Sequence, residues 1–338
     1  MWINPPGKRQ HSSICYTRQM ITPLVFSPLY NTDLASFGMN KPFALDRGEL
    51  VLRKLREELP ELEHHLPVPL TDEELLLVHT PQYLQSLQSS STWEKIFELK
   101  EGEYQPHLAE KPLHQIINDF KLKGGGTKIA VNLALQHGLA ANLGAGYHHA
   151  FPDRGHGYCA LHDIGIAIKS AQNANNLQRA MIVDLDFHQG DGSAIIFASD
   201  DSVFTLSVHS EDGWPDVKQH SDLDVPIFEN EEKLYLEKTA DGIHRALKKF
   251  APNLVLFIAG SDPYEKDVLP GTQLIKLPLA TMRERDEFVI DTFADKGIPL
   301  AKVFAGGYGP DVWEVHYWAT RHLLVKSGFL QSSGPLNL

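Results

Sequence analysis

Short apolar runs alternate with amphipathic stretches along most of the chain. Apolar runs bounded by turn residues predict buried strands, here at residues 23–28, 140–143, 180–187, 203–208, 254–259 and 300–305. Helical periodicity is found at residues 46–59, 192–198, 231–250, 282–293 and 313–326. Thr71 followed by Glu74 is a capping-box pattern that predicts one more helix start. Strands that alternate with helices indicate an α/β fold, an open parallel sheet with helices on both faces.

Three consecutive glycines, Gly124, Gly125 and Gly126, precede a helical pattern at residues 129–136. A phosphate-binding loop would need Gly-Lys-Ser/Thr in that order, and this segment lacks it. We therefore predict a close-packed turn. Because no repeat, low-complexity linker or change of composition divides the chain, we predict a single domain over residues 1–338, with its core at about 23–326.

Polar residues follow four of the predicted strands, at the point where each strand ends. Ligands of open parallel sheets bind beyond the carboxyl ends of the strands, so these residues are expected to share one edge. Each group alone is a weak signal, but their common position makes them a candidate site. The groups are His148 and His149, then Asp184, Asp186, His188 and Asp191, then Asp262, and finally Tyr308 between glycines.

The segment at residues 180–187 leads directly into the most informative of these groups. Side chains alternate faces along a strand, so Asp184, Asp186 and His188 are expected to point the same way. Burying three ionisable groups without partners is costly. Either they bind a cation, or they cap the strand and satisfy loop amides.

The residue types themselves suggest a chemistry. Asp186, His188 and Asp262 supply two carboxylates and one imidazole, a set that leaves a position open, as in catalytic zinc sites. Oxygen and nitrogen ligands also suit Fe²⁺.

The same groups of residues also include candidates for a general base and for a hydrogen-bond donor to an oxyanion. His148 and His149 could act as bases oriented by Asp184 and Asp191, with their roles divided if one pKa is raised and the other lowered. The Tyr308 hydroxyl could donate to a developing oxyanion. The reaction predicted is metal-assisted hydrolysis of an amide.

Composition narrows the class of substrate. With 42% hydrophobic and 22% charged residues the chain has an ordinary globular composition. Its net charge of -12 argues against direct nucleic-acid binding, whereas basic peptides would be attracted to an acidic surface.

Location is suggested by three further features. The two cysteines, Cys15 and Cys159, give no disulfide framework. No apolar run is long enough for a membrane span, and residues 1–15 lack the apolar core of a signal peptide. We expect a cytoplasmic protein that does not associate with membranes, with non-classical export left open.

Five motifs in order resemble the histone deacetylase family, which has the arginase-deacetylase fold. They are GAGYHHA at 144–150, GYCALHD at 157–163, VDLDFHQGDG at 183–192, AGSDPYEKDVLPG at 259–271 and AGGYG at 305–309. The resemblance extends from about residue 26 to about 326. It is greatest to class IV, on the evidence of residues 25–31, 40–48, 77–84 and 153–160 and of Gln189 in place of a second histidine.

The resemblance implies roles for the site residues. Asp186, His188 and Asp262 match the zinc ligands. His149 matches the proton-shuttling base and acid, paired with Asp191, and His148 matches its electrostatic partner, held by Asp184. Tyr308 matches the tyrosine that polarises the carbonyl.

The resemblance also implies a substrate tunnel and a structural potassium ion. The walls of a tunnel for an acylated lysine match Gly157, Tyr158, Trp214 and Leu269. The potassium ion would lie near Asp184, Asp186, His188, Ser207 and Val208, bound partly by backbone oxygens. Cys159, next to a tunnel aromatic, is interpreted as a small buried hydrophobe.

The implied function is zinc-dependent removal of acetyl or longer acyl groups from lysine side chains of proteins or peptides. An acetylpolyamine amidohydrolase and a long-chain fatty acyl-lysine deacylase are the alternatives. A two-metal ureohydrolase would need more carboxylates where Gly190 and Pro263 stand, and a non-catalytic acyl-lysine binder would lack one of the site residues. Ala145 and His162 depart from residues common in the family and put substrate preference in question. The oligomeric state does not follow from the sequence.

Overall fold

A single parallel sheet forms the centre of the molecule, for which a computed structural model describes residues 21–331 except 42 and 44. Its strands are β1 (Leu24–Val25), β2 (Leu139–Asn142), β3 (Ala180–Asp184), β4 (Val203–Ser210), β5 (Leu223–Ile227), β6 (Leu254–Ile258) and β7 (Leu300–Val303). They are ordered β1-β2-β7-β6-β3-β4-β5, and every neighbouring pair is parallel. The predicted open parallel α/β sheet is confirmed.

Helices cover both faces of this sheet. They are α1 (Arg47–Glu58), α2 (Asp72–Leu75), α3 (Pro81–Ser86), α4 (Ser90–Ile96), α5 (Ile117–His137), α6 (Asp163–Asn173), α7 (Asp191–Phe197), α8 (Tyr235–Lys249), α9 (Leu279–Ala294) and α10 (Trp313–Lys326). Helices α1, α8, α9 and α10 pack on the face that carries Met181 and Val183, and α5, α6 and α7 on the face that carries Ala180 and Ile182. A third cluster, with Trp93 and Phe120, packs the segments before α5.

Several boundaries differ from the predictions. The strand predicted at 180–187 ends at Asp184, because the backbone N–H of Asp186 bonds the Asp184 side chain instead of a neighbouring strand. Edge strand β5 was not predicted, since Asp224 and Pro226 interrupt its apolar positions. Pro226 is tolerated there because an edge strand has unpaired backbone groups.

The prediction of a turn at Gly124, Gly125 and Gly126 is wrong, since all three lie inside α5. A Cβ on Gly125 would lie 1.8 Å from the carbonyl oxygen of Val68. The glycines therefore permit close packing of neighbouring segments on the helix, at a cost of ~1 kcal/mol each in helix propensity relative to alanine.

The capping box at Thr71 is confirmed: Glu74 N–H donates to Thr71 Oγ1 (3.3 Å), and Thr71 N–H donates to Glu74 Oε2 (2.9 Å). Within the described residues, none of the helices combines the length and the apolar character needed to cross a bilayer. Cys15 and the segment at 1–15 lie outside the described residues.

Candidate active site

The loops that follow β2, β7, β6 and β3 lie side by side, because these four strands are consecutive neighbours in the sheet. The loop after β2 carries His148 and His149, and the loop after β7 carries Tyr308. The loop after β6 carries Asp262, and the end of β3 with its loop carries the segment from Asp184 to Asp191. Residues separated by more than a hundred positions in the chain are thereby brought to one edge, as expected for a parallel sheet.

Two carboxylates and one imidazole converge at this edge. His188 Nδ1 lies 3.2 Å from Asp186 Oδ1 and 3.1 Å from Asp262 Oδ2. Possible ligand atoms of the three residues all lie within 4.8 Å of one another, and the three side chains are buried. Burial, together with the neighbouring Asp186 charge, raises the pKa of Asp262 to about 7. Burial lowers the pKa of His188, but the hydrogen bonds to Asp186 and Asp262 outweigh it and raise this pKa to about 9. A divalent cation would supply the positive charge in place of that proton.

Glycines leave room for this cluster. A Cβ on Gly260 would lie 2.4 Å from Asp186 Oδ2, and one on Gly306 would lie 2.3 Å from Asp262 Oδ2. Gly306 N–H also donates to Asp186 Oδ2 (2.8 Å). Space, donor types and charge all fit a metal ion held by Asp186, His188 and Asp262.

Beside this cluster, two histidines are each held by a carboxylate. His148 Nδ1 donates to Asp184 Oδ2 and His149 Nδ1 to Asp191 Oδ1, both at 2.7 Å. Their ring centroids are only 3.9 Å apart. Because each Nδ1 is engaged, Nε2 is the nitrogen left for other partners. Nε2 of His148 lies 3.7 Å from Asp186 Oδ1.

The two imidazoles have opposite electrostatic environments. Burial lowers the pKa of His148, but the charges of Asp184 and Asp186 outweigh it and raise the pKa to about 10. Burial and the adjacent His148 charge lower the pKa of His149 to about 3. His148 is therefore the charged ring and His149 the neutral one at pH 7, which is the division that an acid–base pair requires.

A buried aspartate that sequence reasoning missed shapes the histidine loop. Asp163, the first residue of α6, accepts from the backbone N–H groups of Tyr147 (2.7 Å) and Gly146 (3.2 Å) and from Thr127 Oγ1 (2.6 Å). Its only signal was its place at the end of the GYCALHD motif. Since loop amides immediately before His148 are fixed by it, Asp163 is a positioning residue.

The Tyr308 turn is held from two sides by residues that were not predicted. Tyr308 N–H donates to Asp267 Oδ2 (2.6 Å), and the Arg47 guanidinium donates to Ala305 O (2.9 Å) and Gly306 O (3.0 Å). The only signal for either residue was its place in a motif, 40–48 for Arg47 and 259–271 for Asp267, because their partners lie far away in the chain. Burial raises the pKa of Tyr308, so its hydroxyl stays a hydrogen-bond donor.

A cavity of about 1010 Å³, including its open mouth, contains these groups. Of the predicted tunnel residues, Gly157 and Tyr158 line it. Trp214 packs against Gly157 and against the His149 ring, with ring centroids 4.7 Å apart. Leu269 is not among the lining residues; its N–H bonds Asp267, the carboxylate that also holds Tyr308.

Phe43 is a cavity wall that sequence reasoning did not assign. Its ring centroid lies 4.9 Å from that of Tyr158 and 5.9 Å from that of Tyr308. It lies within the 40–48 motif, which was the available signal. With Tyr158 it gives the cavity an aromatic side.

The residues predicted for a potassium ion lie on two neighbouring strand ends. Asp184 on β3 is the register partner of Ser207 on β4, and Val208 follows Ser207. Asp186 and His188 continue from β3 into the adjoining loop. The five residues are therefore grouped together, and the ion itself remains a prediction.

Cys159 and the two residues that depart from the family pattern, Ala145 and His162, differ in whether they line the cavity. Cys159 is buried and unpaired, and it also lines the cavity. Ala145 lines the cavity as well. His162 is fully buried and caps α6, accepting from Gly165 N–H (2.9 Å). Only Ala145 is thus placed where it could affect substrate preference directly.

Comparison with known proteins agrees with this geometry. The family model described as "Histone deacetylase domain" matches residues 41–324. The chain belongs to the histone deacetylase family. It is 31% identical to histone deacetylase 2 of Arabidopsis thaliana over 293 residues, or 84% of this chain and 74% of that protein. It is 41% identical to an uncharacterised protein of Picosynechococcus over 204 residues, 60% of this chain and 65% of that protein, just under two thirds.

Solved structures show the same histone deacetylase fold. A histone deacetylase homologue from Aquifex aeolicus superposes with a TM-score of 0.68 at 22% identity, covering 90% of this chain and 83% of that one. An acetylpolyamine aminohydrolase from Burkholderia pseudomallei superposes with a TM-score of 0.67 at 17% identity, covering 90% and 98%. The arginase-deacetylase fold predicted from the motifs is confirmed, and the chain is a hydrolase of this metal-dependent family.

Proposed function

We propose that this protein is a zinc-dependent amidohydrolase that removes acetyl or longer acyl groups from lysine side chains of proteins. The observation that carries the proposal is a single cavity that contains Tyr308, two carboxylate-held histidines, and ligand groups from Asp186 and His188. A class IV relationship is part of the proposal, as is a cytoplasmic location.

Asp186, His188 and Asp262 would hold the metal. A zinc ion there would supply Lewis-acid activation of the amide carbonyl and of the attacking water. Fe²⁺ suits the same donors. A structural potassium ion held near Asp184 and Ser207 would supply a second, monovalent positive charge.

His149 would act as the proton shuttle. Its neutral ring presents Nε2 to the cavity while Asp191 holds Nδ1–H, so Nε2 can take a proton from the attacking water. The same nitrogen can then return the proton to the leaving lysine amine. The charged His148 would stabilise negative charge that develops beside it, since Asp184 holds its position.

Tyr308 would donate its hydroxyl proton in a hydrogen bond to the acyl oxygen as negative charge develops there. The high pKa of the phenol keeps that proton in place. Asp267 and Arg47 hold the turn that carries Tyr308. The aromatic walls at Phe43 and Tyr158 would enclose the apolar stem of the lysine while its head reaches the polar groups.

A longer acyl group is the second candidate, because the cavity does not end at the reacting groups. Its lining continues to the apolar side chains of Leu34, Phe97, Ile116 and Phe120. An acetyl group would leave this space empty of substrate, whereas a long fatty acyl chain would fill it. Acetylpolyamines are the third candidate, since a fold-level neighbour is named for that activity.

The test is hydrolysis of lysine peptides carrying acetyl through myristoyl groups, and of acetylated polyamines, by protein of measured metal content. Activity on peptides with one zinc per chain, lost on chelation and restored by zinc, is expected. Tyr308→Phe should lower kcat roughly 10²-fold or more. Tyr264→Phe, which removes a hydroxyl bonded to Glu314 outside the cavity, is the matched control. Turnover of polyamines without turnover of peptides would reject the proposal.

A further inference from the structure

One arm of the cavity has a charge distribution that the proposed hydrolysis does not use. This arm runs to the amino-terminal half of α5, where Lys123, Asp119 and Thr32 line it. None of these residues belongs to the acid–base or metal-binding groups.

Lys123 is a buried ammonium with donor capacity to spare. Its side chain is 8% exposed, and Nζ donates to Thr32 Oγ1 at 2.9 Å. Among the described residues, no carboxylate oxygen lies within 4 Å of this nitrogen. An ammonium has three donors, and buried charges are normally paired. Lys123 thus offers unused N–H groups at the cavity wall.

Arg47 adds a second cation to the same cavity. Its guanidinium bonds the carbonyl oxygens of Ala305 and Gly306 and forms no ion pair within 4 Å in the described part of the chain. Asp119 is the carboxylate that lines this arm, and its charge raises the pKa of Lys123 against the larger effect of burial. Burial lowers the pKa of Arg47, and the charges of Tyr308, Asp262 and Asp267 oppose this shift. Asp119 is thus the carboxylate that acts on Lys123, whose remaining N–H groups are left for a ligand.

Apolar side chains line the same cavity as this charge and the reacting groups. The lining of the arm includes Leu34, Leu45, Ile116 and Phe120. A complementary ligand would therefore have a short apolar stretch that ends in an anion. Charge-assisted hydrogen bonds from ammonium to carboxylate are about twice as strong as neutral ones.

We propose that this arm binds the terminal carboxylate of a dicarboxylic acyl group, so that the substrates include lysine side chains acylated with short dicarboxylic acids. The inference rests on the proposed deacylase function and adds an acyl class to it. The carboxylate could also come from a free acid, and the test separates these sources.

The experiment compares kcat/KM on peptides matched in acyl length: butyryl with succinyl, pentanoyl with glutaryl, and hexanoyl with adipoyl, with acetyl as reference. Using the zinc-loaded protein, at least one dicarboxylic acyl group should be removed as fast as its neutral partner or faster. Lys123→Met should lower the ratio of dicarboxylic to neutral turnover roughly tenfold or more. Lys123→Arg keeps the positive charge and should retain most of the wild-type ratio.

Lys121→Met is the matched control, because Lys121 lies on the same helix but pairs with Asp72 outside the cavity. It should leave the ratio unchanged. Taking a ratio within each variant removes any effect of incomplete folding or metal loading. Lys123→Gln provides a second neutral variant if Lys123→Met does not fold.

The outcomes are separable. No turnover of any acyl peptide by the metal-loaded protein would overturn the proposed function. Turnover of acetyl peptides with a ratio that does not depend on Lys123 would overturn this inference alone. Inhibition by free glutarate that depends on Lys123, without preference for glutaryl peptides, would show a site for detached acids and would also overturn it.

Discussion

Two groups of buried charges differ in what surrounds them. Asp186, His188 and Asp262 lie together at the carboxyl edge of the sheet, and Asp186 and His188 line the cavity. Arg285 and Asp286 on α9 and Lys302 on β7 are fully buried under one face of the sheet and do not line the cavity.

The composition of the two groups differs as well. The first group (Asp186, His188 and Asp262, the edge cluster) combines carboxylates with an imidazole. The second group (Arg285, Asp286 and Lys302, the sealed cluster) pairs Asp286 with Arg285 at 2.7 Å beside the Lys302 cation. Burial and charge alone therefore do not mark a functional site. Access from a cavity, together with donors that can bind a metal or transfer a proton, does.

The largest expected effect is loss of the metal from the edge cluster. Asp262→Asn removes one of two carboxylates and should bring both bound metal and turnover close to zero, because one carboxylate and one imidazole are too few ligands for tight zinc binding. Metal analysis after dialysis, with peptide hydrolysis on the same sample, measures this. Asp286→Asn is the matched control from the sealed cluster and should retain its metal.

Removing the proposed proton shuttle should have the next largest effect. His149→Ala is expected to lower kcat roughly 10²- to 10⁴-fold, with bound metal retained because His149 is not among the proposed ligands. Steady-state kinetics with metal analysis measures both quantities. Full activity in this variant with metal in place would exclude the assigned role.

The candidate site was largely predictable because its residues follow strand ends. Each of the site residues Asp186, His188, Asp262 and Tyr308 closely follows an apolar run. The alternation of these runs with helical stretches predicts that the runs are strands of one parallel sheet. Their separation in sequence did not matter, since the parallel topology brings the loops together. Five of the six predicted strands were too long at their carboxyl ends, because the apolar pattern continues into loops such as the one containing Phe187. The strand predicted at 203–208 was too short, since β4 extends to Ser210.

What could not be predicted depends on contacts over long distances in the chain. Asp163 and Asp267 lie within recognised motifs, but the backbone amides that they bind could not be identified from the sequence. The glycines of α5 look like a turn until the packing of Val68 against Gly125 is known. Lys302, in the otherwise apolar strand β7, is a lysine at a buried position whose Nζ has no hydrogen-bond partner among the described residues. Only the tertiary structure shows that the charge of Asp286 acts on it.

Breaking the sealed cluster should affect stability more than activity. Asp286→Asn leaves Arg285 and Lys302 without a carboxylate and should lower the free energy of unfolding by roughly 3–5 kcal/mol, the usual effect of removing one partner of a buried ion pair. Urea unfolding followed by circular dichroism measures the loss. Arg285 also donates to the carbonyl oxygen of Leu185 (3.0 Å), in the loop before Asp186, so a moderate decrease in kcat is compatible with this prediction. A stable variant without activity would contradict it.

The smallest expected effect is a dependence of stability on pH that arises from Lys302. Burial lowers the pKa of this ammonium to about 7, although Asp286 opposes the shift. Above pH 7 the unfolded chain, in which lysine keeps its ordinary pKa, binds more protons than the folded chain. Stability due to this group therefore rises with pH from about 7 up to the unfolded pKa, by at most about 1.4 kcal/mol per pH unit.

Lys302→Met isolates this contribution, since it keeps the length of the side chain without the charge. The difference in unfolding free energy between wild type and variant, measured in urea at pH 7, 8 and 9 with equal metal content, should shift in favour of the wild type as pH rises. A difference that is constant over this range would mean that Lys302 stays charged in the fold. Asp286 would then balance the charge of the Lys302 ammonium as well as that of Arg285. All three residues of the sealed cluster would be charged in the folded protein.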